Sequence, residues 1–219
     1  RKKSEGVVYT PPWIVEKVLS ELPISAKTSV LEPSVGHGAF FIPALEKATV
    51  GMSCDEALNW CRSNTLGVDV SSSTIQELKW ILQTWFERTF GGQVELKDID
   101  FVRVGDGLSI PGHWDIMIGN PPYVNVELIP FKEKEYFKKN YDAFYKRSDL
   151  FVLFIDLAIN KLTNNGMTSL IIPSVVLNNL SYKLIRNKLL NEKWLSEVCY
   201  TGGKVFSDAT VDTVILTID

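Results

Sequence analysis

The stretch Leu31-Glu32-Pro33-Ser34-Val35-Gly36-His37-Gly38-Ala39-Phe40 decides the fold. The short run Ser29-Val30-Leu31 ends in an acid and a glycine-rich turn, the order in which a buried strand of an open α/β sheet hands over to a helix. Gly36 and Gly38 permit a tight turn and a close approach of ligand to backbone. The dinucleotide fingerprint would place Gly or Ala three positions after Gly38, where Phe41 stands, so a pyrophosphate cofactor is disfavoured.

Working outward, further apolar or β-branched runs appear at Leu66 to Val70, Val94 to Ile99, Asp115 to Gly119, Thr168 to Ile172, Leu195 to Tyr200 and Val211 to Ile218. Between them, residues 12–22 carry Ile14, Val15, Val18, Leu19 and Leu22 on one stripe, and 74–88 carry Ile75, Leu78, Ile81, Leu82 and Trp85. Ser148 is placed to cap a helix from Asp149 to about Leu162, with Asn165-Gly166 ending it in a left-handed cap. The alternation predicts a doubly wound, mostly parallel seven-stranded α/β sheet. The last two runs are too close for a parallel crossover and predict an antiparallel edge hairpin. The segment from Pro121 to Arg147 breaks the pattern. It interleaves Tyr123, Phe131, Tyr136, Phe137, Tyr141, Phe144 and Tyr145 with six cations, which suits either a stacking and phosphate-contacting surface or a partly helical cover with a solvated Lys/Glu face.

The chain has 219 residues, 45% of them hydrophobic and 22% charged, which suffices for one domain with a full core. No apolar run reaches the ~20 residues of a membrane span. Arg1-Lys2-Lys3 is followed by polar residues instead of a signal-peptide core. Cys54, Cys61 and Cys199 are unclustered, so neither a disulfide framework nor a zinc site is expected, and a reducing cytosol is the expected compartment. A net charge of −3 provides no global field for nucleic acid, so a polyanion would need a local patch or protein outside this sequence. The first residue is Arg, so the chain reads as a piece of something longer.

Ligands of open α/β sheets sit beyond the carboxyl ends of the strands. There Asp69 is placed to accept from ribose hydroxyls, and Asp98-Ile99-Asp100-Phe101 offers an acid and a ring for an adenine. Together with the glycine loop they outline an adenosine-containing ligand without a pyrophosphate. The fourth strand ends in Gly119-Asn120-Pro121-Pro122-Tyr123. An exocyclic aryl amine is a poor nucleophile because its lone pair is delocalised. The Asn120 side-chain oxygen and the Pro121 carbonyl could accept its two N–H bonds and favour attack by the lone pair, with Tyr123 offering a face to the base.

In this order, Tyr9-Thr10-Pro11-Pro12, Glu32-Pro33-x-x-Gly36-x-Gly38, Asp69, Asp100-Phe101, Asn120-Pro121-Pro122-Tyr123, Asp149-Leu150-Phe151 and Val205-Phe206 resemble the γ-type adenine-specific N6 DNA methyltransferases of bacterial type I and type II restriction-modification systems. The resemblance covers nearly the whole chain. It implies S-adenosylmethionine as cofactor, held by Thr10, Glu32, Pro33, Ser34, Gly36, Gly38, Asp69, Asp100 and Phe101. It also implies that Asn120 and Pro121 hold the amine, with Pro122 completing the catalytic loop. Tyr123 and Phe206 would sandwich an adenine extruded from double-stranded DNA. Residues 1–219 would form a catalytic domain, with target recognition, and any nuclease or specificity subunit, outside this sequence. His37 is expected to be a spectator and Phe154 to be packing. Other readings share the same loop: transfer to cytosine N4, to a protein glutamine or to RNA, or a cofactor-holding subunit without catalysis. C5 methylation would need a nucleophilic Cys after a proline, and the sequence has none.

Overall fold

The computed structural model describes residues 10–141, 143–144, 148–191, 194–202 and 211–219. Seven strands, β1 (Val30–Glu32), β2 (Thr65–Asp69), β3 (Val102–Val104), β4 (Trp114–Gly119), β5 (Leu162–Pro173), β6 (Leu195–Tyr200) and β7 (Thr213–Ile218), form one sheet in the order β3-β2-β1-β4-β5-β7-β6. The first five run parallel, while β7 lies antiparallel between β5 and β6.

Both faces are covered, and the period-two alternation of the strands sorts their side chains between them. Val30, Ile116, Ile118, Ile171 and Ile215 pack with α1 (Pro12–Ser20), α2 (Phe41–Ala48), α3 (Cys54–Asn64) and α4 (Ser72–Phe90). Their alternates Leu31 and Met117 face α5 (Phe131–Asn140) and α6 (Phe151–Lys161), and Leu170, Ile172, Val214 and Leu216 face α6 and α7 (Lys183–Asn191). Helix α6 is buried from Phe151 to Ile159 and includes Asp156, whose Oδ1 lies 2.6 Å from Lys188 Nζ on α7. No described helix is long and apolar enough to cross a membrane.

The expected parallel sheet and antiparallel hairpin are present, but three local expectations are corrected. Val94 to Ile99 is not a strand. Leu96–Asp98 is a single 3-10 turn, and the third strand begins later, at Val102. Ser148 does not cap α6, since its Oγ donates to Ser181 O and the helix starts at Phe151. Nor does Asn165-Gly166 end that helix. Leu162 leaves it in an extended conformation, and both residues lie in β5, where the register against β4 shifts between Trp114 and Ile116. Gly166 approaches the Trp114 and Asp115 carbonyls so closely there that a Cβ would stand 2.9 and 3.0 Å from them, so close backbone approach, not a left-handed turn, asks for glycine.

Candidate active site

Strand order reverses at β1 and β4: the chain winds outward through β2 and β3 on one side and through β5 on the other. The carboxyl ends of β1, β2 and β4 therefore open a crevice, and Glu32, Asp69 and Gly119 end those strands.

The glycine loop is fixed by backbone. Val35 N–H donates to Val68 O (2.8 Å), Gly38 N–H to Val35 O (2.9 Å), and Gly36 and Gly38 take φ of +52° and +81°. Asp69 holds this loop: one carboxylate oxygen accepts from Gly36 N–H (3.2 Å) and the other from Ser71 N–H (2.9 Å), at the start of α4. Asp69 is half-buried, and each carboxylate oxygen has capacity to accept a further hydrogen bond. His37 is engaged elsewhere, with Nε2 2.9 Å from Glu77 Oε2.

Glu32 is the electrostatic centre. It is 2% exposed, and burial raises its carboxyl well above the usual carboxylate range, opposed by the Phe41 backbone hydrogen bond and reinforced by Asp69. Its Oε2 has no hydrogen-bond partner among the described residues. A Cβ on Gly119 would sit 3.4 Å from Glu32 Cγ and 3.7 Å from Ser34 Oγ, so the ends of β1 and β4 are in contact.

The β4 loop follows directly. Asn120 Oδ1 is a second buried atom with no hydrogen-bond partner among the described residues, while Asn120 O accepts from Ser34 Oγ at 3.3 Å. Pro121 is buried. Tyr123 is braced from behind. Its hydroxyl donates to Ile171 O (3.2 Å), its ring meets Phe151 edge-on at 6.4 Å and 81°, and burial pushes its phenol well above the ordinary value. Phe151 in turn contacts Tyr182 at 5.3 Å, and the Tyr182 hydroxyl donates to Asp149 Oδ2 (2.8 Å). Leu150 N–H donates to Val124 O (3.0 Å), which ties the loop to the start of α6.

Asp100 and Phe101 do not join this group. Both precede β3, at the opposite edge of the sheet from the crevice. Asp100 Oδ2 pairs with Arg62 (3.1 Å), and Phe101 is a 3% exposed core residue 6.4 Å from Phe41. The residues that do follow β3 are Gly105-Asp106-Gly107-Leu108. Gly105 N–H donates to Asp69 O (2.9 Å), Gly107 lies against the Pro33 carbonyl, and exposed Asp106 caps its own turn by accepting from Leu108 N–H (3.0 Å) and Ser109 Oγ (3.2 Å). An acid between two glycines directly after Val-x-Val was the readable signal. Thr10 is half-buried just before α1, with no hydrogen bond to the three loops. Phe154 is packing, as expected. Tyr9, Val205 and Phe206 lie outside the described residues. Among the described residues no group of three His, Cys, Asp or Glu side chains is gathered to hold a metal.

Seven strands in this order with these loops make the fold of a class I methyltransferase. A putative class I S-adenosylmethionine-dependent methyltransferase from Listeria monocytogenes aligns with TM-score 0.61 at 17% identity, covering 94% of this chain and 56% of that one. The modification subunit of a putative type I restriction enzyme from Vibrio vulnificus YJ016 aligns with TM-score 0.74 at 19% identity, covering 100% and 45%. The chain belongs to the Eco57I restriction-modification methylase family, which it matches over residues 61–206. Among curated relatives, the type II methyltransferase M.PaeR7I of Pseudomonas aeruginosa is 26% identical over 185 residues, 75% of this chain and 31% of the relative. The chain thus spans about a third of the length of the first curated relatives it matches.

Proposed function

We propose that this chain is the catalytic part of a DNA modification enzyme that moves a methyl group from S-adenosylmethionine to N6 of an adenine turned out of the duplex. The observation that carries the reading is Asn120 Oδ1, a buried acceptor at the end of β4 without a partner among the described residues. A buried acceptor left unmade costs about 1–3 kcal/mol, and an incoming amine N–H would satisfy it.

The crevice suits the cofactor. The unpartnered oxygen of Glu32 and the acids Asp69 and Asp106 favour a ligand that carries positive charge and hydroxyl donors, and the positive-φ glycines let the backbone come close. Glu32, Pro33, Ser34, Gly36, Gly38 and Asp69 would line it, with Thr10 near the chain start. Asp106 and Leu108 take the place expected for Asp100 and Phe101. When bound, the cofactor supplies a methyl group activated by a sulfonium.

The rest is done by the chain's own side chains. Asn120 and the Pro121 carbonyl accept from the amine and orient its lone pair, and Pro122 stiffens the turn. Tyr123, with its hydroxyl anchored on Ile171, keeps its ring for a base. Aromatic faces replace stacking lost when the base leaves the helix, and N6 is out of reach until it does. Membership in a restriction-modification family supports DNA as the acceptor, and the resemblance of the Asn120-Pro121-Pro122-Tyr123 loop to the adenine-N6 enzymes supports adenine.

The test is nucleoside mass spectrometry of DNA from a host without adenine methylation that expresses the full reading frame containing this chain, beside Asn120→Ala. N6-methyladenine in the first sample alone is expected. N4-methylcytosine would replace the base assignment, and unmodified DNA would overturn the reading.

A further inference from the structure

The helix α5 is not needed to build the crevice, yet its far end is fastened to it. It begins eight residues after Tyr123, and at its far end the Tyr141 hydroxyl donates to Leu108 O (3.1 Å) in the turn after β3. Of its ten residues only Phe137 is fully buried, held by Phe144 at 5.6 Å and Tyr141 at 6.1 Å. Around that single anchor stand side chains that an ordinary solvated helix would not present together. Leu128 is 77% exposed, Phe131 75% and Tyr136 54%. Large exposed apolar groups rimmed by charge mark contact surfaces.

The charge agrees. Within α5 four lysines face two glutamates, +2 in a chain whose total is −3. Lys138 pairs with Glu135 at 2.9 Å, whereas Lys132, Lys134 and Lys139 have no ion-pair partner among the described residues. Ten helical residues span about 15 Å, and phosphates follow one another every ~3.4 Å of axis on one strand, so the lysines can reach more than one phosphate. Phe131 opens the helix, and an exposed ring there suits a sugar or the edge of an unstacked base.

We infer that α5 is a docking surface for the DNA backbone, with Lys132 and Lys139, which stack on its exposed face, on phosphates and Phe131 beside them against a sugar or base edge. This rests on the DNA reading above. In the full-length enzyme, kcat/KM for a DNA duplex is measured from low to moderate salt for wild type and for Lys132→Gln/Lys139→Gln. The double variant is expected to raise KM for DNA at least tenfold and to flatten the slope of log kcat/KM against log salt by about 1–2, at roughly 0.9 per phosphate contact. Its kcat at saturating DNA, cofactor Kd and Tm stay at wild-type values. Phe131→Ala is expected to raise KM with the slope unchanged. A wild-type slope in the double variant, or a loss of RNA binding with DNA binding intact, overturns the inference. Wild-type enzyme that methylates no DNA at all removes the parent reading, a result distinct from an active enzyme with an unaltered slope.

Discussion

Gly107 and Pro33 meet backbone to backbone: a Cβ on Gly107 would stand 1.8 Å from the Pro33 carbonyl oxygen. The turn after β3 is thus pressed onto the loop after β1, and no flexible side chain can yield. Gly107→Ala is expected to cost about 1–3 kcal/mol, as overpacking does, and to weaken cofactor binding. Gly105→Ala, whose new Cβ would meet only Val68 Cγ1 at 3.4 Å, is expected to be close to neutral. Thermal melts of both variants check this, and equal stability would contradict it.

Asp106 and Asp100 should separate cleanly. Asp106→Ala removes the acid beyond β3 and is expected to weaken S-adenosylmethionine binding about tenfold, the loss of one good hydrogen bond to a ligand. Asp100→Ala breaks an exposed pair with Arg62, worth at most about 1 kcal/mol, and should leave cofactor affinity within twofold. Calorimetric titration distinguishes them, and the reverse ranking would restore the expectation drawn from sequence.

Glu32 gives a pH dependence with a definite sign. Burial raises its folded carboxyl above its unfolded value, so between those two values the folded state binds more protons and stability falls as pH rises. Glu32→Gln removes that dependence. The stability difference between variant and wild type should be small below the ordinary carboxylate range and should grow as pH climbs through it. Urea melts across pH 4 to 8 read the difference, and a constant gap would refute it.

The buried pair of Asp156 and Lys188 yields a double-variant prediction. Lys188→Met strands a carboxylate that is 3% exposed and should cost about 3–5 kcal/mol. Lys188→Met/Asp156→Leu, which replaces both charges by apolar groups, should recover most of the loss. Denaturant titration of the single and double variants decides it.

The catalytic loop calls for the simplest comparison. Asn120→Ala should reduce methyl transfer at least a hundredfold while cofactor affinity stays within a few-fold. Asp69→Ala frees Gly36 N–H and Ser71 N–H and should show mainly as weaker cofactor binding. Equal loss of binding in both would contradict this division.

How far the sequence could be read depended on burial. Strands β1, β2, β4 and β7 are nearly continuous apolar runs because they are covered on both faces, and they stood out. Strand β3 is a three-residue edge strand in which only Val102 is buried, so Val94 to Ile99, with more apolar residues, outcompeted it and drew Asp100 and Phe101 into the wrong place. Helix α5 showed no period because a single buried phenylalanine makes none. Helix α3 is marked in the sequence by the Ser53 and Glu56 capping box, a signal independent of hydrophobicity. Of the pocket, the loops after β1, β2 and β4 were legible because glycine, acid and proline follow their strands directly. The acid after β3 was lost with its strand.

The position of β7 bears on how the molecule is made. A ribosome that has released residue 173 has delivered the five strands that pair in parallel, and with them the loops after β1, β2 and β4, before β6 or β7 exists. Only when residues 213–218 emerge can β6 be attached, because β7 is its sole partner among the described strands. During that interval the outer edge of β5 is an open strand that a second nascent chain could pair with. Synthesis therefore produces the ligand-holding half first and leaves the vulnerable edge for last.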